Sequence, residues 1–143
     1  MTVRVKRTFE FDAPVEDVWA FIADPAKRAG AISVVERFEV APDGRHATWH
    51  IKLPIPLVRS TAKVETEDIT VNEPTNVKFV GRSPVMRVTG EHTIEPTETG
   101  CQLVNEFVVD GRLPGVETFF ERNLDRELDN LERELRRELE SAT

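Results

Sequence analysis

The sequence predicts an α+β domain: a curved, seven-stranded antiparallel sheet wraps around one long C-terminal helix, with two short helices after the first strand. Three observations carry this. From about residue 33 to residue 111, apolar and polar side chains alternate with period two, and short turn signals break the runs, as in a meander of strands. The closing stretch "GVETFFERNLDRELDNLERELRRELESAT" sets Val116, Phe120, Leu124, Leu128, Leu131, Leu135 and Leu139 at steps of four and three, with acids and arginines on the other faces. A meander with one apolar face needs a partner, and only this helix, close to 39 Å over residues 115–140 at about 1.5 Å per residue, is long enough to lie across it. The whole chain, residues 1–143, reads as a single domain.

Each element has its own signal. In residues 3–11 Val3, Val5, Phe9 and Phe11 share a face with Arg7, and Arg4, Lys6, Thr8 and Glu10 take the other. In "DAPVEDVWAFIADPAKRAGAI" Asp12 is the expected N-cap and Pro14 the first helical residue, with Val15, Val18, Trp19 and Ile22 at helical spacing. Asp24-Pro25 closes this helix and opens a second one up to about Gly30. Then come "SVVERFEV", the hairpin signal Asp43-Gly44, and "ATWHIKL", which alternates Ala47, Trp49, Ile51 and Leu53 against Thr48, His50 and Lys52. "TAKVETEDITV" is a strand whose apolar phase slips near Asp68 and Ile69, the mark of a bulge. "VKFVG" follows the turn "NEPTN", and "VMRVTGEHTIEP" and "CQLVNEFVVDG" are two long strands joined by "TETG".

Composition removes several functions. No run approaches the roughly 20 apolar residues of a membrane span, and the N-terminus lacks the apolar middle of a signal peptide, so a cytoplasmic location is expected. A net charge of −7 argues against nucleic acid as partner. One cysteine excludes an internal disulfide, and His46, His50 and His92 fall in no metal-ligand spacing, so no metal is expected. No phosphate-cradling, dinucleotide or nucleophile-elbow motif occurs, and no cofactor is expected. The 18 Glu and 8 Asp stand against 14 Arg and only 5 Lys, a balance shared by proteins that work in high salt and by ordinary acidic proteins of arginine-rich composition.

The order of elements, the stretch "GEHTIEPTETGCQLVNEF" and the closing amphipathic helix resemble the START/Bet v 1-like helix-grip superfamily, also called SRPBCC. Its P-x-E-x-V-W-x-x-[IL]-x-D-P signature is met by Pro14, Glu16, Val18, Trp19, Ile22, Asp24 and Pro25. Within it the chain is most similar to the polyketide cyclase/dehydrase-like and the carbon-monoxide-dehydrogenase subunit-like branches. The resemblance spans essentially the whole chain. It implies a hydrophobic cavity between sheet and helix, holding a lipid, a polyketide or another small hydrophobic molecule, and in some relatives cyclisation or dehydration.

Strand and helix parity name the cavity candidates: Trp49, Ile51, Phe79, Val88, His92, Asn105, Phe107, Phe120, Asn123 and Leu124. Most apolar members are explained by core packing alone. Polar residues in the apolar phase are Arg7, Glu36, Asp68, His92 and Asn105; each must be paired, solvated or set against a wet cavity. His92, Glu36 and Asp68 are the catalytic candidates, His92 as a general base. His50 and His46 are expected outside. Asn123 and Glu127 flank the helix stripe one turn apart, within reach of the cavity mouth, although surface pairing explains them as well. Pro54, Ile55, Pro56, Leu57 and Val58 form an apolar loop that either caps one end of the domain or touches a membrane or partner protein. "GRLPG", residues 111–115, is a hinge between the last strand and the helix. Were the helix tail to overhang its sheet, Leu135 and Leu139 would favour a homodimer over a monomer. Three functions are thus weighed: a carrier or sensor of a small apolar molecule, a cyclase or dehydratase, and an accessory module of an oxidoreductase complex.

Overall fold

A computed structural model describes residues 2–54 and 61–141. The apolar loop, apart from Pro54, lies outside the described residues. The elements follow as β1 (Thr2–Phe11), α1 (Val15–Ile22), α2 (Pro25–Gly30), β2 (Val35–Val40), β3 (His46–Lys52), β4 (Thr61–Asn72), β5 (Asn76–Arg82), β6 (Met86–Pro96), β7 (Cys101–Gly111) and α3 (Val116–Ser141). The strands form one antiparallel sheet in the order β1-β7-β6-β5-β4-β3-β2. From β2 to β7 each strand pairs with its successor, and β1 closes the far edge against β7. The inner face carries Phe9, Trp49, Ile51, Val64, Phe79, Val88, Leu103 and Phe107, all buried, and α3 lies against it with Val116, Phe120, Leu124, Leu128, Leu131 and Leu135 turned inward.

Local chemistry sets the ends of the elements. Asp24 caps α2: its Oδ1 accepts from the backbone N–H of Ala26 (2.9 Å) and of Lys27 (3.4 Å), with Pro25 first in the helix. Asp12 caps nothing in α1. Pro14 occupies the cap position with an extended backbone (ψ 152°), so Asp12 stands two residues too early. The expected bulge in β4 is present, between Asp68 and Thr70 in the pairing with β5. A second bulge, between Val35 and Arg37 of β2, breaks the parity that would turn Glu36 inward. Glu36 is instead exposed, 3.9 Å from Lys52 Nζ, and is no part of the interior.

Two glycines are needed where they stand. Phe79, Gly90 and Phe107 are paired in one row across β5, β6 and β7, and a Cβ on Gly90 would lie 2.3 Å from Phe79 Cε1 and 3.1 Å from Phe107 Cε1. The missing side chain lets the two rings close over the strand, with centroids 6.2 Å apart. Gly115, at φ 95°, turns the chain from β7 into α3 through a backbone conformation that side chains disfavour.

The helix tail does not overhang. Leu135 is fully buried within the chain and Leu139 half-buried, because the C-terminal half of α3 docks on β1 and the first helices. Arg136 lies over the Phe11 ring (4.6 Å) and donates to Glu10 O (2.9 Å), while Lys27 pairs with Glu138. Arg7 reaches from β1 to α3, 2.7 Å from Asp129 and donating to Asp125 O at 3.1 Å. The stripe that suggests a dimer in the sequence is therefore used inside the domain as far as Leu135.

Candidate functional site

Between α3 and the inner face of the sheet is an apolar hollow of about 40 Å³. Trp49 and Ile51 of β3, Phe79 of β5, Val88 and His92 of β6, Phe107 of β7, and Phe120 and Leu124 of α3 form its wall, with Ile32, Val34, Met86, Val109, Leu128 and Leu131. Eight of the ten residues chosen by parity thus stand at the hollow. Asn105 stands behind His92 instead, and Asn123 is turned to its own helix, where its Nδ2 donates to Phe119 O (2.8 Å).

Three polar residues also stand in the wall: Arg28, His92 and Glu127. Each is held from behind. Arg28 of α2 meets Asp68 at the β4 bulge, with Nη2 and Oδ1 2.5 Å apart, and its Nη1 donates to Ile22 O (2.9 Å). Both side chains are buried. Burial pulls the guanidinium down and pushes the carboxyl up, each opposed by the attraction of the other. Arg28 Nε has no hydrogen-bond partner among the described residues. The Arg28 guanidinium carbon lies 5.3 Å from the Phe79 ring centre.

His92 is only 1% exposed. Its ring lies beside Phe79 (centroids 6.3 Å) and edge-on to Phe107 (5.5 Å). Nδ1 is 2.8 Å from Asn105 Oδ1, and Asn105 Nδ2 donates to Arg7 O (3.2 Å) and Leu103 O (3.4 Å). Those two carbonyls orient the amide, so its oxygen faces the imidazole and Nδ1 must carry the proton. Burial, aided by the nearby Arg28 charge, lowers the imidazole pKa to about 3 against the bond to Asn105. His92 is therefore neutral, with its lone pair on Nε2.

Glu127 lies on the apolar side of α3, and both its carboxyl oxygens accept from Ser33: Oε2 from the backbone N–H at 2.7 Å, Oε1 from the hydroxyl. This ties α3 to the turn that follows α2. The signal is present in the sequence, since position 127 is three residues after Leu124 and four before Leu131. Arg28 carries no comparable signal beyond the need of Asp68 for a cation, and that cation comes from a helix 40 residues away.

The catalytic candidates do not converge. Glu36 is at the surface, Asp68 is taken up by Arg28, and His92 is oriented by an amide rather than a carboxylate. Outside the hollow, His46 is exposed as expected, with Nδ1 2.6 Å from Asp43, which raises its pKa. His50 is on the outer face but buried, contrary to the expected exposure, since β3 is flanked by β2 and β4 and its Nε2 lies 2.8 Å from Glu39. No helix among the described residues is long and apolar enough to cross a membrane.

An open antiparallel sheet curved about a terminal helix, with an apolar hollow between them, defines the helix-grip class of START-like domains. The chain belongs to the family described as polyketide cyclase/dehydrase and lipid transport, whose pattern it matches over residues 2–136. No curated protein sequence matches it significantly. Among solved structures it is similar to a conserved protein from Geobacillus kaustophilus (TM-score 0.80, 14% identity, 98% of this chain and 97% of the other). It is also similar to a START superfamily protein from Mycobacterium smegmatis (0.74, 14%, 98% and 99%). A third is the Zhui aromatase/cyclase from Streptomyces sp. R1128 (0.73, 17%, 97% and 96%). At these identities the likeness is one of fold.

Proposed function

We propose that this protein binds a small hydrophobic molecule, lipid or polyketide-like, between the sheet and α3, and acts as its carrier or sensor. The observation that carries the reading is the apolar hollow itself, placed where α3 crosses the strands and interrupted only by three polar residues that are each fixed from behind. At about 40 Å³ the hollow is far below the roughly 150 Å³ that holds a benzene molecule. Binding therefore requires α3 to move outward. Gly111 and Gly115 bracket the segment on which it would pivot, and the Glu127–Ser33 contact is the latch to be released.

Catalysis as a cyclase or dehydratase is the second reading, supported by the family's description and by a neutral His92 at the wall. An imidazole with a pKa of about 3 and no carboxylate behind it is a weak base, which favours binding over acid–base chemistry. The third reading, an accessory module, rests on the loop at 54–58, which apart from Pro54 is outside the described residues.

The test is native mass spectrometry of freshly purified protein, with thermal shifts across fatty acids, alcohols and aromatic compounds. A co-purified apolar molecule, or a shift that Val88→Phe removes by filling the hollow, is the expected result. No adduct and no shift across the panel would end the carrier reading.

A further inference from the structure

The polar groups at the hollow differ in what they leave unused, and that difference bears on the ligand's chemistry. His92 has spent its one N–H on Asn105, a residue set back from the hollow. The edge of the ring that meets the hollow therefore carries a bare lone pair at Nε2, which accepts and cannot donate. Arg28 has spent Nη1 on Ile22 O and Nη2 on Asp68, and leaves Nε–H without an acceptor among the described residues. Both side chains lie against the same ring, Phe79, Arg28 at 5.3 Å and His92 at 6.3 Å from its centre. One donor and one acceptor are thus free beside one apolar surface.

Charge narrows the choice further. The guanidinium is already matched by Asp68, and the remaining charged group in the wall, Glu127, is acidic. A carboxylate entering the hollow would find no unpaired cation, an acceptor facing it at His92 and a like charge at Glu127. A neutral hydroxyl fits both free groups: its proton goes to Nε2 and its oxygen accepts from Nε–H.

We propose that the hollow selects hydroxyl-bearing apolar molecules, phenols or alcohols, over the carboxylates and ethers of the same skeleton, with His92 Nε2 and Arg28 Nε as the selecting pair. This deepens the binding function above and rests on it. The probes are p-cresol, 4-methylanisole and 4-methylbenzoate, three small rings that demand little displacement of α3 and differ only in the polar group. Binding is followed by NMR titration of the intact protein at neutral pH.

p-Cresol is expected to bind about tenfold more tightly than either of the others, the scale of one buried hydrogen bond made rather than opposed. The His92 Nε2 nitrogen resonance is expected to move with p-cresol and not with 4-methylanisole. His92→Phe is expected to bring p-cresol and 4-methylanisole to within about twofold of each other, since the acceptor is gone. Should that variant not fold, the wild-type series and the nitrogen spectrum decide alone. Equal binding of all three probes, tightest binding of 4-methylbenzoate, or a proton on Nε2 in the free protein would overturn the assignment and leave the cavity reading intact. If none of the three binds, the cavity reading fails and this assignment with it.

Discussion

Acid should destabilise this protein through His92, by an amount that follows from its surroundings. A histidine in the unfolded chain takes up a proton near pH 6.5. In the fold the ring is sealed between Phe79 and Phe107, its Nδ1 proton is committed to Asn105 and the Arg28 charge is close by, so its pKa is about 3. The folded value is depressed below the unfolded one. The unfolded state therefore binds more protons between the two, and stability present above about pH 6.5 is lost as pH falls toward about 3. The slope approaches about 1.4 kcal/mol per pH unit, and between about pH 7 and about pH 4.5 the loss from this one group is about 2.5 kcal/mol. Urea unfolding, followed by the fluorescence of Trp19 and Trp49, measures it at both pH values for the wild type and for His92→Gln. Glutamine keeps an amide donor for Asn105 Oδ1. Any fixed cost of the substitution, together with titration elsewhere (including that of the Asp43–His46 pair), cancels in the comparison of the two losses. The variant should lose about 2.5 kcal/mol less than the wild type over this range. Equal losses in the two proteins, or an NMR titration of His92 centred near pH 6, would refute the placement of a sealed, neutral imidazole.

Other substitutions test other contacts. Arg28→Met should cost about 3–5 kcal/mol at neutral pH by urea unfolding, because it strands Asp68 in a dry interior, and Arg28→Met with Asp68→Leu should recover most of that. Gly90→Ala should lower stability by about 1–3 kcal/mol in a thermal melt, since the new Cβ would force the Phe79 ring out of its place. Leu135→Ala should cost about 2–5 kcal/mol and do so equally in dilute and concentrated solution, because the side chain is covered by its own chain and not by a second copy.

Much of the architecture was legible because period and element length report directly on which face is covered. The long apolar stripe from Val116 to Leu135 and the phase slip at Asp68 both correspond to structure. Glu36 misled because a bulge moves one residue without leaving an apolar mismatch to read: Val34 and Phe38 keep their side, and only the pairing partner reveals the slip. Asn105 and Asn123 show a different limit. Parity tells which way a side chain leaves the backbone, not whether a neighbour captures it first, as His92 and Phe119 O do. The Arg28–Asp68 pair joins α2 to β4 and has no local pattern at all; it exists only once the sheet has curved over the first helices.

The pairing of β1 sets an order on the assembly of the chain. Thr2 faces Asp110 and Phe11 faces Cys101, so the first strand to leave the ribosome has its neighbour in the last strand to be made. Its Arg7 then waits for the acids of α3, later still. Residues 2–11 therefore spend most of synthesis as an unmatched, half-apolar ribbon, while the β2 to β7 meander has neighbours close in sequence. Zipping β1 onto the completed edge is the step that brings both ends of the molecule under one cooperative unit.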